Sequence, residues 1–280
     1  MGDLVSIFYA DFFPRKGKRN GAWMTSYKPQ FIKDGHEERP HVSIVCNFTK
    51  PTKSKPSLLT FNEVTTLFHE FGHGIHHMLT QVDAAPVAGI NGVAWDAVEL
   101  PSQFLENWCY EEEALSFISG HYETDEPLPK ELLDKLLAAK NFQSGMQMLR
   151  QLEFSLFDFT IHHTYKAGEP CNIQATLDEV RSKTAVVKAP AFNRFQHGFN
   201  HIFAGGYAAG YYSYKWAEVL AADAFSKFEE EGIFNKATGQ SYKQEILEVG
   251  GSKDAMDMFV AFRGRKPSVE PLLKQAGIQS

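Results

Sequence analysis

A chain of 280 residues with 43% hydrophobic and 13% aromatic content has enough apolar side chain for one large packed domain or two small ones. Its formal charge of -6, from 28 Lys and Arg against 34 Asp and Glu, comes with no basic stripe and argues against nucleic acid as a partner. No apolar run approaches the roughly 20 residues of a membrane span, and Cys46, Cys109 and Cys171 lack the C-x-x-C spacing of a metal or redox pair, so buried thiols in the cytoplasm are expected.

Residues 4–12 are rich in β-branched and aromatic side chains and run into the turn-prone segment 14–21, which predicts a buried strand. The spelling of residues 1–6, with Gly2 and Ser6, matches an N-myristoylation signal and is read as incidental because this strand follows. Residues 41–48 repeat the strand pattern before a Pro/Lys/Ser loop at 50–57, so a small N-terminal sheet should lead into the next element.

That element is a helix. Thr60 followed by Glu63 forms a capping box, Leu59 and Val64 suit a hydrophobic staple, and the helix is predicted to start at Phe61. Val64, Leu67, Phe68, Phe71, Ile75 and Met78 recur at helical steps and should bury it. On an adjacent face the helix carries His69-Glu70-Phe71-Gly72-His73, the pattern His-Glu-x-x-His. Two histidines one turn apart can grip one metal ion, and Glu70, about 100° round the helix, can reach a water bound to it. The competing reading is a core helix in which the short motif arose by chance.

A catalytic zinc takes a third protein ligand and keeps one open position. The glycines of the 87–93 loop permit the turns that return the chain to the metal, and a second helix is expected from about Asp96, with Pro101 in its first turn. Glu99, near its entrance, is the expected third ligand. Glu106, seven residues on and on nearly the same face, suits the spare N–H of a ligating histidine, whereas residues 111–113 read as a solvated acidic face.

From Pro129 to about Lys166 the pattern is helical, with Leu132, Leu133, Leu136, Leu137, Met146, Leu152, Leu156 and Phe157 among the positions expected to form a bundle core. His162 and His163 are adjacent and diverge on a helix, so they do not make a joint metal site. Residues 199–216 combine paired glycines with His201, Tyr207, Tyr211, Tyr212 and Tyr214, which reads as a mobile loop carrying O–H and N–H donors of the kind an oxyanion needs. If Tyr207 starts a helix, Tyr207, Tyr211 and Tyr214 share one face; the alternative is that these rings are amphipathic core. Residues 217–230 should close as an amphipathic helix, with a short terminal helix after residues 264–268.

The motif at His69 to His73, the glycine-containing loop to Glu99, and the run Glu99-Leu100-Pro101-Ser102-Gln103-Phe104-Leu105-Glu106-Asn107-Trp108 resemble the thimet oligopeptidase family, nearest its oligopeptidase A and peptidyl-dipeptidase branch. The similarity runs from about Leu4 to about Gly277. It implies a zinc peptidase that cuts short peptides inside a channel, with a strand of the N-terminal part bordering the cleft and pairing with extended substrate. It also implies that His201 and Tyr214 stabilise the oxyanion and that Tyr207 and Tyr211 contact substrate. Members of that family are much longer, with a helical N-terminal half that forms one channel wall and is absent here.

The expectation is therefore a predominantly helical α+β, zincin-like catalytic domain over residues 1–280, built from a small N-terminal sheet and a helical bundle. His69, His73 and Glu99 would bind one Zn2+ per chain, and Glu70 would act as general base on the activated water. Short peptides are the expected substrates, and a second chain or an oligomer would cover the open side of the cleft. The alternative is a zinc-binding fragment without turnover, at most a peptide-binding module.

Overall fold

The structure is a computed structural model that describes residues 3–278; Gly2 and the outermost residues of the expected 1–280 domain lie outside the described residues. Five strands come first: β1 (Ile7–Asp11), β2 (Trp23–Lys28), β3 (Phe31–Lys33), β4 (His36–Glu38) and β5 (His41–Val45). The main sheet has the order β1-β5-β2, with β5 parallel to β1 and antiparallel to β2. As the central strand, β5 is buried on both faces, Val42, Ser43 and Ile44 included.

Two expectations change here. β1 is an edge strand with Phe8 and Tyr9 exposed, so its aromatic run is not a buried one. β2 and the β3–β4 hairpin were not anticipated, although the hairpin turns on Asp34-Gly35, both at positive φ (51° and 78°), the conformation that favours an Asp-Gly turn.

Helix α1 spans Phe61–Met78 and starts as expected, with the Thr60 side chain accepting from the Glu63 amide and the Glu63 carboxylate accepting from the Thr60 amide. Its burial differs from the expected apolar stripe. Phe71 is 37% exposed, and the buried residues cluster in the second half: Glu70, Gly72, His73, Gly74, His76, His77 and Met78. The reason is close backbone contact in place of large side chains: a Cβ on Gly72 would lie 2.5 Å from the Pro101 carbonyl oxygen and 2.6 Å from the Ser102 Cα.

The expected second helix is broken at Glu99 into α2 (Trp95–Val98) and α3 (Leu100–Glu106), with Pro101 in the first turn of α3. Then follow α4 (Glu112–Ile118), α5 (Lys130–Ala139), α6 (Ser144–His163), α7 (Ile173–Thr184), α8 (Asn200–Phe203), α9 (Ser213–Glu231), α10 (Lys236–Tyr242), α11 (Ala255–Arg263) and α12 (Glu270–Gln275). The architecture is α+β and predominantly helical. No helix of the described residues is long and apolar enough to cross a membrane.

Buried apolar residues form two clusters. The larger joins α2, α3, α9 and α11 through Ala97, Leu100, Phe104, Leu220, Phe225, Phe228, Phe259 and Phe262. The smaller lies between α6, α7 and the segment before α9, with Phe157, Ile161, Leu177, Phe199, Ile202 and Tyr211. The single helical pattern at 129–166 is split at Gln143, which sits at φ 55°. Of its expected core positions, Leu133 and Phe157 are buried but Leu132, Met146, Leu152 and Leu156 are exposed, because α5 and α6 each bury one face only. Cys46 and Cys109 are buried, and burial pushes both thiols up to about 12; Cys171 is exposed, against expectation.

Candidate metal centre

One turn of α1 brings His69 and His73 to the same side, their ring centroids 5.1 Å apart. The break between α2 and α3 aims Glu99 at them: Glu99 Oε2 lies 3.0 Å from His73 Nε2 and 3.3 Å from His69 Nε2. Among the described residues this is the trio of metal-competent side chains that converges, with ligand atoms all within 4.8 Å of one another. Two donors each about 2.0 Å from a tetrahedral zinc ion sit about 3.3 Å apart, so these spacings and the N, N, O donor set fit that ion.

The neighbouring residues orient the trio. His69 Nδ1 donates to Glu106 Oε1 at 2.6 Å, which leaves the Nε2 lone pair facing Glu99. Ser102, in the first turn of α3, donates from Oγ to Glu99 Oε2 at 2.8 Å, and the Tyr207 hydroxyl donates to Glu99 Oε1 at 2.5 Å. Both carboxylate oxygens of Glu99 are thereby held.

The electrostatics favour a cation at this point. Burial opposes charge on Glu99, but the facing imidazoles, His73 foremost, hold its carboxyl well below the usual range. Burial likewise opposes a charged His69, but Glu106 and Glu99 prevail and raise it to about 10, so a proton there competes with any metal. Glu70 is 7% exposed, and burial pushes its carboxyl up while His69 and His73 pull the other way. Burial lowers His201, which is therefore a neutral imidazole with one N–H at pH 7, and raises Tyr207 and Tyr214, which keep their O–H protons.

The trio opens into a cavity of about 670 Å³ whose lining includes Glu70, His201, Tyr207 and Tyr214 together with Trp23 and Met24 of β2. The sequence profile of Peptidase family M3 matches residues 1–278 of the chain. The chain belongs to peptidase family M3. It is 59% identical over 278 residues to Oligopeptidase A of Escherichia coli and 61% identical over 278 residues to Oligopeptidase A of Haemophilus influenzae. Each alignment covers 99% of this chain and 41% of the relative, so the chain spans less than half the length of the curated relatives it matches. Among solved structures, an M32 carboxypeptidase from Deinococcus radiodurans R1 shares the fold with a TM-score of 0.61 at 14% identity, covering 98% of this chain and 55% of that one.

Against this M3 background the tyrosine segment is arranged differently from the sequence reading. Tyr207 does not start a helix: residues 208–212 form turns, Ala209 takes φ 56°, and α9 begins at Ser213. The Tyr207 and Tyr214 rings nevertheless meet, stacked at 4.8 Å and 20°, with His201 edge-on to Tyr214 at 6.0 Å. Tyr207, expected on substrate, has its hydroxyl on Glu99. Tyr211, also expected on substrate, is buried in the smaller cluster with its hydroxyl donating to Gln151 Oε1 at 3.0 Å, so its placement is that of a core residue. The strand at the cavity is β2; β5 has partners on both edges.

Sequence reasoning passed over Ser102, Trp95 and β2. Ser102 was legible in principle, three residues beyond Glu99 in a helical first turn. Trp95, with its ring 4.5 Å from that of Tyr207, carried no local signal, because the contact joins segments 112 residues apart.

Proposed function

We propose that this chain carries the catalytic centre of a zinc oligopeptidase, over residues 1–280, that hydrolyses short peptides. The observation that carries the reading is the meeting of two imidazoles and a doubly held carboxylate beside a buried carboxyl, Glu70, in a cleft faced by neutral donors. His69, His73 and Glu99 would hold one Zn2+, which when bound supplies Lewis acidity and a water of lowered pKa.

The chain's own residues supply the rest. Glu70, with its proton affinity raised by burial, accepts a proton from the attacking water and passes it to the leaving amine. Tyr214 and neutral His201 donate to the carbonyl oxygen as negative charge develops on it. Tyr207 steadies Glu99, and Glu106 fixes the His69 tautomer. The free edge of β2, at Trp23 and Met24, offers backbone groups to an extended peptide. A cytoplasmic location is part of this proposal.

The test is zinc content and cleavage of a quenched fluorescent peptide on one purified preparation, with and without a chelator, beside Glu70→Gln. One zinc per chain, chelator-sensitive cleavage, and a Glu70→Gln protein that keeps zinc without turnover are expected. A Glu70→Gln protein cleaving at the wild-type rate would overturn the general-base assignment. The chain's coverage of 41% of its relatives motivates a second reading, a zinc-binding part that needs further polypeptide for turnover. Zinc without cleavage would favour that reading.

A further inference from the structure

Asp158 lies in the C-terminal half of α6, 1% exposed, beneath the turn that precedes α9. Its two carboxylate oxygens hold two backbone amides of that turn: Oδ1 accepts from the Ala209 N–H and Oδ2 from the Tyr211 N–H, both at 2.9 Å. One helical turn on, His162 Nδ1 lies 3.0 Å from Oδ1. A buried carboxylate persists only where its acceptor sites are filled, and here the turn's backbone fills them.

The dependence runs both ways. Ala209 sits at φ 56°, a left-handed conformation that a residue with a Cβ adopts only when its surroundings impose it. Two N–H groups at and beyond such a residue, aimed at one acceptor, are an anion-holding arrangement of the backbone, and Asp158 is its anion. Gln151 adds a side-chain tether to the Tyr211 hydroxyl from the same helix, but Asp158 is what α6 offers the turn's backbone. Tyr207 is two residues before Ala209 and Tyr214 three after Tyr211, so the path between the two stacked phenols passes through the pinned turn.

We propose that Asp158 is a positioning residue: its carboxylate pins the 209–211 turn and thereby sets the Tyr207 hydroxyl on Glu99 and the Tyr214 hydroxyl in the cleft. It touches no substrate. The inference rests on the reading of the cleft as a peptidase centre, and the test separates the two.

The variant is Asp158→Asn in the zinc-loaded 280-residue chain; it keeps the shape but turns an NH2 group toward a backbone N–H. The expected result is a kcat lowered about 10- to 100-fold, the scale of a misplaced catalytic group, with KM and zinc content little changed. Hydrogen exchange across residues 207–212 should rise about tenfold or more, while that of α1 stays as in the wild type. Unchanged kcat, or exchange that rises equally throughout the chain, would overturn the proposal. Should the variant not fold, exchange in the wild type decides: the Ala209 and Tyr211 amides should be protected like those of α6, and exchange as fast as at exposed Val186 and Val187 would overturn it. A wild type without cleavage would remove the peptidase reading alone, since the exchange comparison would still uphold or overturn the pinned turn.

Discussion

Replacing Gly72 with alanine sets two effects of opposite sign against each other. In an ordinary helix interior Gly→Ala stabilises by about 1 kcal/mol through backbone entropy. At Gly72 the added Cβ would meet the Pro101 carbonyl oxygen at 2.5 Å and the Ser102 Cα at 2.6 Å, where ordinary contact begins at 3.4 Å. Both partners are backbone, so α3 must move from α1 by about 0.9 Å, with an overpacking cost of about 1–3 kcal/mol. α3 carries Glu106 and follows directly on Glu99, and ligand distances in a zinc site tolerate only about 0.2 Å. Zinc affinity is therefore expected to fall about 10- to 100-fold, comparable to the loss of a residue supporting a ligand, while net stability changes little or drops.

Gly74 provides the control, because a Cβ there meets nothing closer than the Met78 Cε at 3.7 Å. Gly74→Ala should keep wild-type zinc affinity and gain up to about 1 kcal/mol. Competition with a chromophoric chelator gives the affinities, and thermal unfolding of the metal-free forms gives the stabilities. If Gly72→Ala binds zinc as tightly as Gly74→Ala does, the metal centre does not depend on the close approach of the two helices.

Glu106→Gln should lower zinc affinity about 10- to 100-fold by weakening the bond that orients His69, as read by the same competition. Tyr214→Phe should lose turnover on the order of a hundredfold with zinc content unchanged; a loss confined to thermal stability would make Tyr214 a packing residue. His76 is fully buried, neither ring nitrogen has a hydrogen-bond partner, and burial lowers it to about 3 from 6.5. Between those values the unfolded chain binds a proton that the folded chain does not, so stability falls as pH drops through 6.5, by about 1.4 kcal/mol per unit. Metal-free His76→Leu should unfold less steeply with acid than the metal-free wild type, and equal slopes would refute this. A thiol reagent added to the native chain should modify Cys171 rapidly, and Cys46 and Cys109 only after unfolding.

The parts of this protein legible in the sequence are those set by short-range rules. Thr60 and Glu63 fix the start of α1 by bonds within four residues, and the helical repeat alone puts His69 and His73 on one side. Glu99 and Glu106 follow from the same repeat once Pro101 marks a helix start. The misreadings share a cause in longer-range contact. Hydrophobic periodicity led to Phe71 as a buried position, yet the inner face of α1 is chosen by what packs there, the backbone at Pro101 and Ser102. A helix through Tyr207 fitted the spacing of the tyrosines, but Asp158, about 50 residues earlier, holds Ala209 out of helical conformation.

The two hydrophobic clusters divide the chemistry between them. The proposed metal ligands lie on α1 and at the α2–α3 junction, with α2 and α3 built into the larger cluster, whereas His201 and Tyr207 belong to a segment packed on the smaller one. Tyr214 stands in the first turn of α9, which enters the smaller cluster while the rest of that helix is built into the larger. Among the described residues two hydrogen bonds that cross between them at the cleft are the Tyr207 hydroxyl to Glu99, and the Gln103 side chain to the Tyr214 carbonyl oxygen at 3.1 Å. Partial unfolding should respect that seam. At low denaturant the smaller cluster opens first and takes the proton donors with it, while the ion stays on the larger one. Under the proposed function, inactivation and metal release are then two separate transitions, and protein recovered between them should hold its zinc and regain activity without added metal.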